Sequence, residues 1–155
     1  MDNWPGFQKE LWHQISAFGG IALSGFAVVF SYIIGLKVLS LQFLTEIILA
    51  LLVVILIRSF YFKQRPDKTT YKSWVGKLDA SSFPSMHAMR VFGLATILSI
   101  NFPRPAIISL SALIAVSVSV SRLIMKRHHI SDVIVGGILG VLIGFASVWL
   151  TLRFI

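Results

Sequence analysis

The sequence predicts an all-α, polytopic membrane bundle with about five transmembrane helices and an interfacial amphipathic helix at its N-terminus. Hydrophobic residues make up 56% of the 155 residues, and charged residues make up only 13%. The apolar residues form long runs, and a bilayer crossing needs about 20 such residues. Polar segments separate these runs. We therefore expect residues 1–155 to form a single integral-membrane domain.

The apolar runs predict the spans and their contacts. Five runs are predicted to be spans: Ser16–Gly35, Val38–Ile57, Ala88–Phe102, Ala106–Ser121 and Val133–Leu152. The third and fourth are short for a full crossing, so we expect their helices to extend into the flanking polar residues. Gly136, Gly140 and Gly144 recur at every fourth position of the last run. This spacing lets helix backbones approach closely, which predicts a packing surface.

The segment before the first run has the pattern of an interfacial helix. Trp4, Phe7 and Leu11 recur at helical spacing, and the charged Lys9 and Glu10 lie off this apolar stripe. Helices of this kind lie in the membrane interface. We therefore expect residues 1–15 to lie along the membrane surface.

The polar connections between spans predict where the functional site lies. Residues 58–87 join the second and third spans, and residues 122–132 join the fourth and fifth. If the spans alternate in direction, both connections lie on the same side of the membrane. We therefore expect a site in that layer, with residues 58–87 as its main loop.

The first cluster of candidate site residues lies in residues 58–66, with the sequence RSFYFKQRP. Arg58 and Arg65 flank six residues at the membrane edge. Guanidinium groups present rigid forks that match two phosphate oxygens at a time. Taken alone, the pair is more simply explained as positive charges at the end of a span.

The second cluster is Pro84-Ser85-Met86-His87, at the predicted start of a helix. Proline fits the first turn of a helix, where the unpaired N–H groups can bind an anion. The Ser85 hydroxyl could add a further bond, and His87 would be close enough to donate a proton to a leaving oxygen. A capped helix with an interfacial histidine explains the same residues equally well.

The third cluster is the segment 121–132, which contains Arg122, His128 and Asp132. His128 and Asp132 are four residues apart, so on a helix they lie on one face. A carboxylate bonded to one imidazole nitrogen leaves the other nitrogen free to attack. His129, three residues from Asp132, is the competing nucleophile. A metal site is the weaker alternative, because two histidines and one aspartate are a small ligand set.

Together the clusters predict a site for phosphoryl transfer through a phosphohistidine. Charged residues at membrane spans are costly, so three arginines, a helix N-terminus and two histidines in one layer indicate function. Such a set supplies a nucleophile, an acid and positive charge with no metal. The net charge of +8 is better explained by lipid headgroups or a phosphorylated substrate than by nucleic acid, because the basic residues lie between apolar runs.

The three motifs resemble those of the phosphatidic acid phosphatase type 2 superfamily of lipid phosphatases. That family has Lys or Arg, six residues and Arg-Pro; then Pro-Ser-x-His; then Ser-Arg, five residues, His, three residues and Asp. The resemblance implies an all-helical membrane bundle, related to vanadium haloperoxidases, that needs no metal or other cofactor. Arg58 stands where the family usually has lysine. Met86 stands where glycine is common, and its side chain narrows the pocket.

The resemblance also implies a role for each matching residue. The phosphate would be held by Arg58, Arg65, Arg122, Ser85 and neighbouring backbone amides. His128 would attack phosphorus, Asp132 would orient His128, and His87 would protonate the leaving group. Water would then hydrolyse the phosphohistidine.

The predicted function is hydrolysis of a lipid phosphate or diphosphate, such as phosphatidate, phosphatidylglycerol phosphate or polyprenyl diphosphate. The alternatives are a lipid phosphotransferase that uses the same histidine, and a non-enzymatic lipid-phosphate binder or transporter. A binder has no use for a His–Asp pair, and a transporter would place its polar residues near the midplane. The basic residues favour a cytoplasmic site, whereas the resemblance implies the extracytoplasmic face, which we favour.

Overall fold

The computed structural model describes residues 5–68 and 70–154. The helices among them are α1 (Gly6–Ala17), α2 (Ile21–Ile33), α3 (Lys37–Phe60), α4 (Trp74–Ala80), α5 (Met86–Asn101), α6 (Pro105–Ile124) and α7 (Ile130–Phe154). Extended backbone pairs at an isolated bridge between Gln64 and Ser81. The predicted all-α class is confirmed.

Within the described ranges, fewer helices meet the requirements of a membrane span than the sequence predicts. α3, α6 and α7 are long and apolar enough, and α1 with α2, bent by 46° at the break between them, is a fourth candidate. The shortfall from five lies in α5, whose 16 residues extend only about 24 Å, against ~30 Å of hydrocarbon core. Pro103 follows closely, and proline favours a helix end before it.

The N-terminal helix packs onto the bundle. Residues 1–4, which include Trp4 of the predicted apolar stripe, lie outside the described residues. α1 contacts α6, and Ile15 packs against a core cluster formed by Val91, Ala115 and Val118. The position of α1 at the membrane surface stays a prediction, but its C-terminal end is part of the helix packing.

α5 lies at the centre of the bundle, in contact with α3, α6 and α7. Its closest neighbour is α7, because the glycine stripe of α7 faces the α5 backbone. A Cβ atom added at Gly136, Gly140 or Gly144 would lie under 3 Å from a backbone oxygen of α5 or of its N-cap. The predicted packing role of these glycines is confirmed.

The two polar connections meet at one end of the bundle. The Ser85 N–H at the start of α5 donates to the Asp132 carbonyl in the first turn of α7, at 3.0 Å. The Ser82 N–H donates to the Lys63 carbonyl, at 2.8 Å. These bonds tie the loop after α3, the start of α5 and the start of α7 together, as predicted.

Candidate active site

Arg58 ends the buried stripe of α3 and binds the backbone of the loop before α5. Its Nη1 donates to the Leu78 carbonyl at 2.7 Å, its Nη2 to the Pro84 carbonyl at 3.0 Å and its Nε to the Phe83 carbonyl at 3.3 Å. A guanidinium has five N–H donors, so one remains on each terminal nitrogen. Arg58, predicted as a phosphate ligand, therefore also holds this loop in place.

Ser85 caps α5. Its hydroxyl accepts a bond from the Ala88 N–H, at 3.5 Å, which satisfies one of the unpaired donors at the helix start. The helix begins at Met86, so Pro84 precedes the cap and does not occupy the first turn. The predicted helix N-terminus at this position is present.

His128 lies in the connection between α6 and α7, with only 4% of its surface exposed. Its Nδ1 is 2.7 Å from the Ser82 carbonyl oxygen. A carbonyl can only accept, so Nδ1 carries the proton and Nε2 keeps its lone pair. Burial, with a further contribution from the Arg122 charge, lowers the pKa of His128 to about 3. His128 is therefore neutral at physiological pH, as a nucleophile must be.

Asp132 contacts a different partner from the one expected. Its Oδ1 accepts from Lys63 Nζ at 2.6 Å, and its Oδ2 from the His129 backbone N–H at 2.8 Å. The His129 ring nitrogen Nδ1 is 3.1 Å from the same Oδ2. The expectation that Asp132 orients His128 by direct contact is thus wrong for this structure. Asp132 is the third residue of α7, where an acidic side chain folds back onto the N-terminal backbone, as in a capping box.

Arg122 is buried, Arg65 is largely buried, and both have incomplete hydrogen bonding. Arg65 Nη2 donates to the Asp79 carbonyl, and Arg122 Nη1 donates to the Ser16 hydroxyl. The Nε atom of each arginine is buried and has no hydrogen-bond partner among the described residues. Buried polar groups are normally paired, so both side chains are suited to an anionic ligand.

His87 lies in the first turn of α5, beside the break between α1 and α2. A Cβ at Gly19, within that break, would lie 2.9 Å from the His87 ring. Burial, followed by the positive charges of Arg122 and Arg90, lowers the pKa of His87 to about 3. His128 and Arg65 also contribute to this shift. The structure thus brings into one cluster four of the predicted residues: His87, Arg65, Arg122 and His128.

Four contributions to the site are absent from the sequence prediction. Ser82 acts through its carbonyl and Gly19 through its lack of a side chain, so neither gives a motif signal. Ser16 lies near the end of α1, whereas the sequence pattern placed it at the start of the first span, with no role in the site. Lys63 lies inside the first motif, but its contact with Asp132 depends on the fold. Within residues 5–68 and 70–154, no three His, Asp or Glu side chains form a group that could hold a metal ion.

Comparisons with known proteins show the family and the fold of this chain. The sequence model of the PAP2 superfamily matches residues 15–155. Aquifex aeolicus LpxE has a similar structure, with a TM-score of 0.79 and 20% identity over 96% of this chain and 89% of that chain. The transmembrane PAP2 type phosphatidylglycerolphosphate phosphatase of Bacillus subtilis has a TM-score of 0.72 and 20% identity over 99% and 81%. No curated protein sequence matches. The two structures show a shared fold. Because the family model matches most of the sequence, the chain belongs to the PAP2 superfamily.

Proposed function

We propose that this protein is a membrane-embedded lipid phosphatase that hydrolyses a lipid phosphate or diphosphate through a phosphohistidine at His128. The observation that carries the proposal is the state of His128, which is buried and neutral, with Nδ1 bound to a carbonyl. Its Nε2 lone pair is therefore available to attack phosphorus. Two incompletely bonded arginines, Arg65 and Arg122, lie in the same cluster.

The positive charges of the cluster would bind the phosphate and stabilise the transition state. The phosphate oxygens would supply the partners that the Nε atoms of Arg65 and Arg122 lack. The N-terminus of α5 and the remaining N–H groups of Arg58 would add donors. Charge that develops on the phosphoryl oxygens is stabilised by donors already in place.

The reaction would proceed in two steps. In the first, Nε2 of His128 forms a bond to phosphorus while the bond from phosphorus to the leaving oxygen breaks. His87 is neutral in the free site, where its pKa is low, and the phosphate anion of the substrate favours its protonation. The protonated imidazole then gives its proton to the leaving oxygen. In the second, water attacks the phosphohistidine, the phosphorus–nitrogen bond breaks and His87 takes back a proton. The products are inorganic phosphate and a lipid alcohol, or a lipid monophosphate if the substrate is a diphosphate.

The position of the cluster supports a lipid substrate. It lies at the ends of α3, α5, α6 and α7, three of which are long and apolar enough to span a membrane. A headgroup of an embedded lipid would meet the site there. The Bacillus subtilis structure bears the name of a phosphatidylglycerolphosphate phosphatase, which makes phosphatidylglycerol phosphate a candidate beside phosphatidate and polyprenyl diphosphate. We propose that the site faces the extracytoplasmic side.

The test is phosphate release by the purified protein in detergent with EDTA, from these three lipids in parallel. The parent is expected to release phosphate from at least one of them. His128→Ala is expected to lose about 1,000-fold or more in rate, because the nucleophile is gone. His13→Ala, at an exposed position of α1, is the matched control and should retain activity. Absence of phosphate from every lipid, or equal activity in His128→Ala, would refute the proposal.

A further inference from the structure

Lys63 joins two segments of the site that are distant in sequence. It lies between Arg58 and Arg65 in the loop after α3. Its Nζ is 2.6 Å from Asp132 Oδ1 and 2.8 Å from the Ser131 hydroxyl, both in the first turn of α7. The Asp132 side chain is fully buried, and the Lys63 side chain is 26% exposed. The ion pair therefore fixes the arginine-bearing loop to α7.

The backbone of Lys63 is also linked to His128, through Ser82. Its carbonyl accepts from the Ser82 N–H at 2.8 Å, and the Ser82 carbonyl binds His128 Nδ1 at 2.7 Å. Its own N–H donates to the Ser81 hydroxyl at 3.3 Å. Lys63 is therefore linked to the His128 ring through the backbone of Ser82. Its side chain is linked to the backbone beside His128 through Asp132, which accepts a bond from the N–H of the next residue, His129.

Loss of the ion pair between Lys63 and Asp132 should be costly in free energy. A buried carboxylate that loses its cation is left uncompensated, and this is more costly than the loss of an exposed pair. Besides the Lys63 ammonium, the donors to Asp132 are the backbone and ring nitrogens of His129 and the hydroxyls of Ser131 and Ser82. These donors are neutral or only partly charged, so removal of the ammonium leaves the buried carboxylate without its full positive charge and weakens its hold on the turn that carries His128.

We infer that Lys63 is a positioning residue that sets the place of His128 relative to the phosphate-binding arginines. The inference rests on the proposed function and adds a residue to its site. The backbone bonds of Lys63 to Ser81 and Ser82 still hold the arginine-bearing loop when the side chain is replaced. Loss of the ammonium should therefore lower kcat and leave KM little changed. Displacement of a reacting group by about 1 Å can lower the rate about 100-fold.

The experiment compares Lys63→Met, Lys63→Arg and Lys72→Met on the lipid that the parent hydrolyses fastest. We expect Lys63→Met to lower kcat about 10- to 100-fold and Lys63→Arg to recover much of the loss. Lys72→Met, at an exposed position of the same connection, is the control. Lys63→Met combined with Asp132→Asn should be no slower than Asp132→Asn alone, because the two residues act as a pair.

A second measurement is independent of turnover. Imidazole nitrogen NMR of the parent should show His128 as a single Nδ1–H tautomer, and Lys63→Met should show a mixture of tautomers. An unchanged His128 spectrum in Lys63→Met, or a rise in KM with kcat unchanged, would overturn the inference. If the parent releases no phosphate from any lipid, the proposed function fails, and the NMR comparison alone decides whether Lys63 positions His128.

Discussion

The Nδ1 atom of His128 lies 2.7 Å from the carbonyl oxygen of Ser82, so the orientation of the proposed nucleophile depends on a backbone segment just before α5. The next two residues of that segment present their carbonyls to Arg58. Arg58 therefore helps to orient His128 indirectly, by holding the loop whose Ser82 carbonyl binds the imidazole.

Arg58→Lys should destabilise the protein, although lysine is the residue that the family usually has at this position. One ammonium cannot reproduce the fork that binds the carbonyls of Leu78, Phe83 and Pro84. We expect a loss of about 2–3 kcal/mol in the free energy of unfolding, together with slower phosphate release. Thermal unfolding and hydrogen exchange of residues 78–84 check this.

The matched control for this change is Arg104→Lys, at an exposed position before α6, which should leave both quantities unchanged. Parent-like unfolding and exchange in Arg58→Lys would show that the loop does not depend on the guanidinium.

Ser16→Ala should weaken substrate binding. The Ser16 hydroxyl accepts a bond from Arg122 Nη1, and without it the buried guanidinium loses a partner that fixes its direction. A loss of about 1 kcal/mol corresponds to a rise of about fivefold in KM. Ser24→Ala is the control, because the Ser24 hydroxyl donates to the Gly20 carbonyl, at 3.3 Å, where α2 begins. Equal KM values in the two variants would exclude a role for α1 in the site.

His128 should make stability depend on pH. Its pKa falls from 6.5 to about 3 on folding, so the unfolded chain binds the additional proton between these values. The contribution of neutral His128 to the free energy of unfolding is fully present above pH 6.5 and is lost as the pH falls toward 3. Between pH 7.5 and pH 5 the loss is about 2 kcal/mol.

The measurement is the unfolding temperature of the parent and of His128→Gln at both pH values. The unfolding temperature of the parent should fall more between pH 7.5 and pH 5 than that of His128→Gln, because glutamine does not titrate. Parallel decreases in the two proteins would mean that His128 is not buried as a neutral imidazole.

Gly140→Ala should disrupt the contact between α5 and α7. The new Cβ would collide with the Met89 carbonyl, and backbone cannot yield as a flexible side chain can. We expect a loss of about 3 kcal/mol or more. Gly25→Ala in α2 is the control: its Cβ would have nothing within 4 Å, and alanine favours the helix by about 1 kcal/mol. Comparable unfolding temperatures in the two variants would contradict the packing assigned to the glycine stripe.

The sequence predicts the parts of the site that side-chain type and spacing determine. The helical class follows from the apolar runs, and the layer of the site follows from the polar connections. The close contact of α7 with α5 follows from Gly136, Gly140 and Gly144. His87, His128, Arg65 and Arg122 do meet in one cluster, because each lies at the end of a helix or in a connection of that layer.

The remaining features depend on contacts that spacing does not encode. The i,i+4 interval between His128 and Asp132 predicts a shared helix face, but α7 begins only at Ile130, so His128 precedes the helix. Asp132 then binds the start of α7 and Lys63. The hydrogen-bond partner of His128 Nδ1 is the Ser82 carbonyl and not Asp132. Because every residue type has a backbone carbonyl, the sequence gives no signal for this contact. α5 is shorter than a full crossing, as the length of its apolar run indicates, and the expected extension of its helix into flanking residues adds only Met86 and His87.

His128 is proposed to carry the phosphoryl group, and rapid quenching with base after reaction with radiolabelled lipid phosphate tests this most directly. Peptide mapping after the quench should place the label on the peptide that contains His128, in a linkage that is labile to acid and stable to base. His87→Ala should accumulate less label per unit time, because the leaving oxygen is no longer protonated. Label on another residue, or phosphate release by the parent with no labelled peptide at any quench time, would contradict the account.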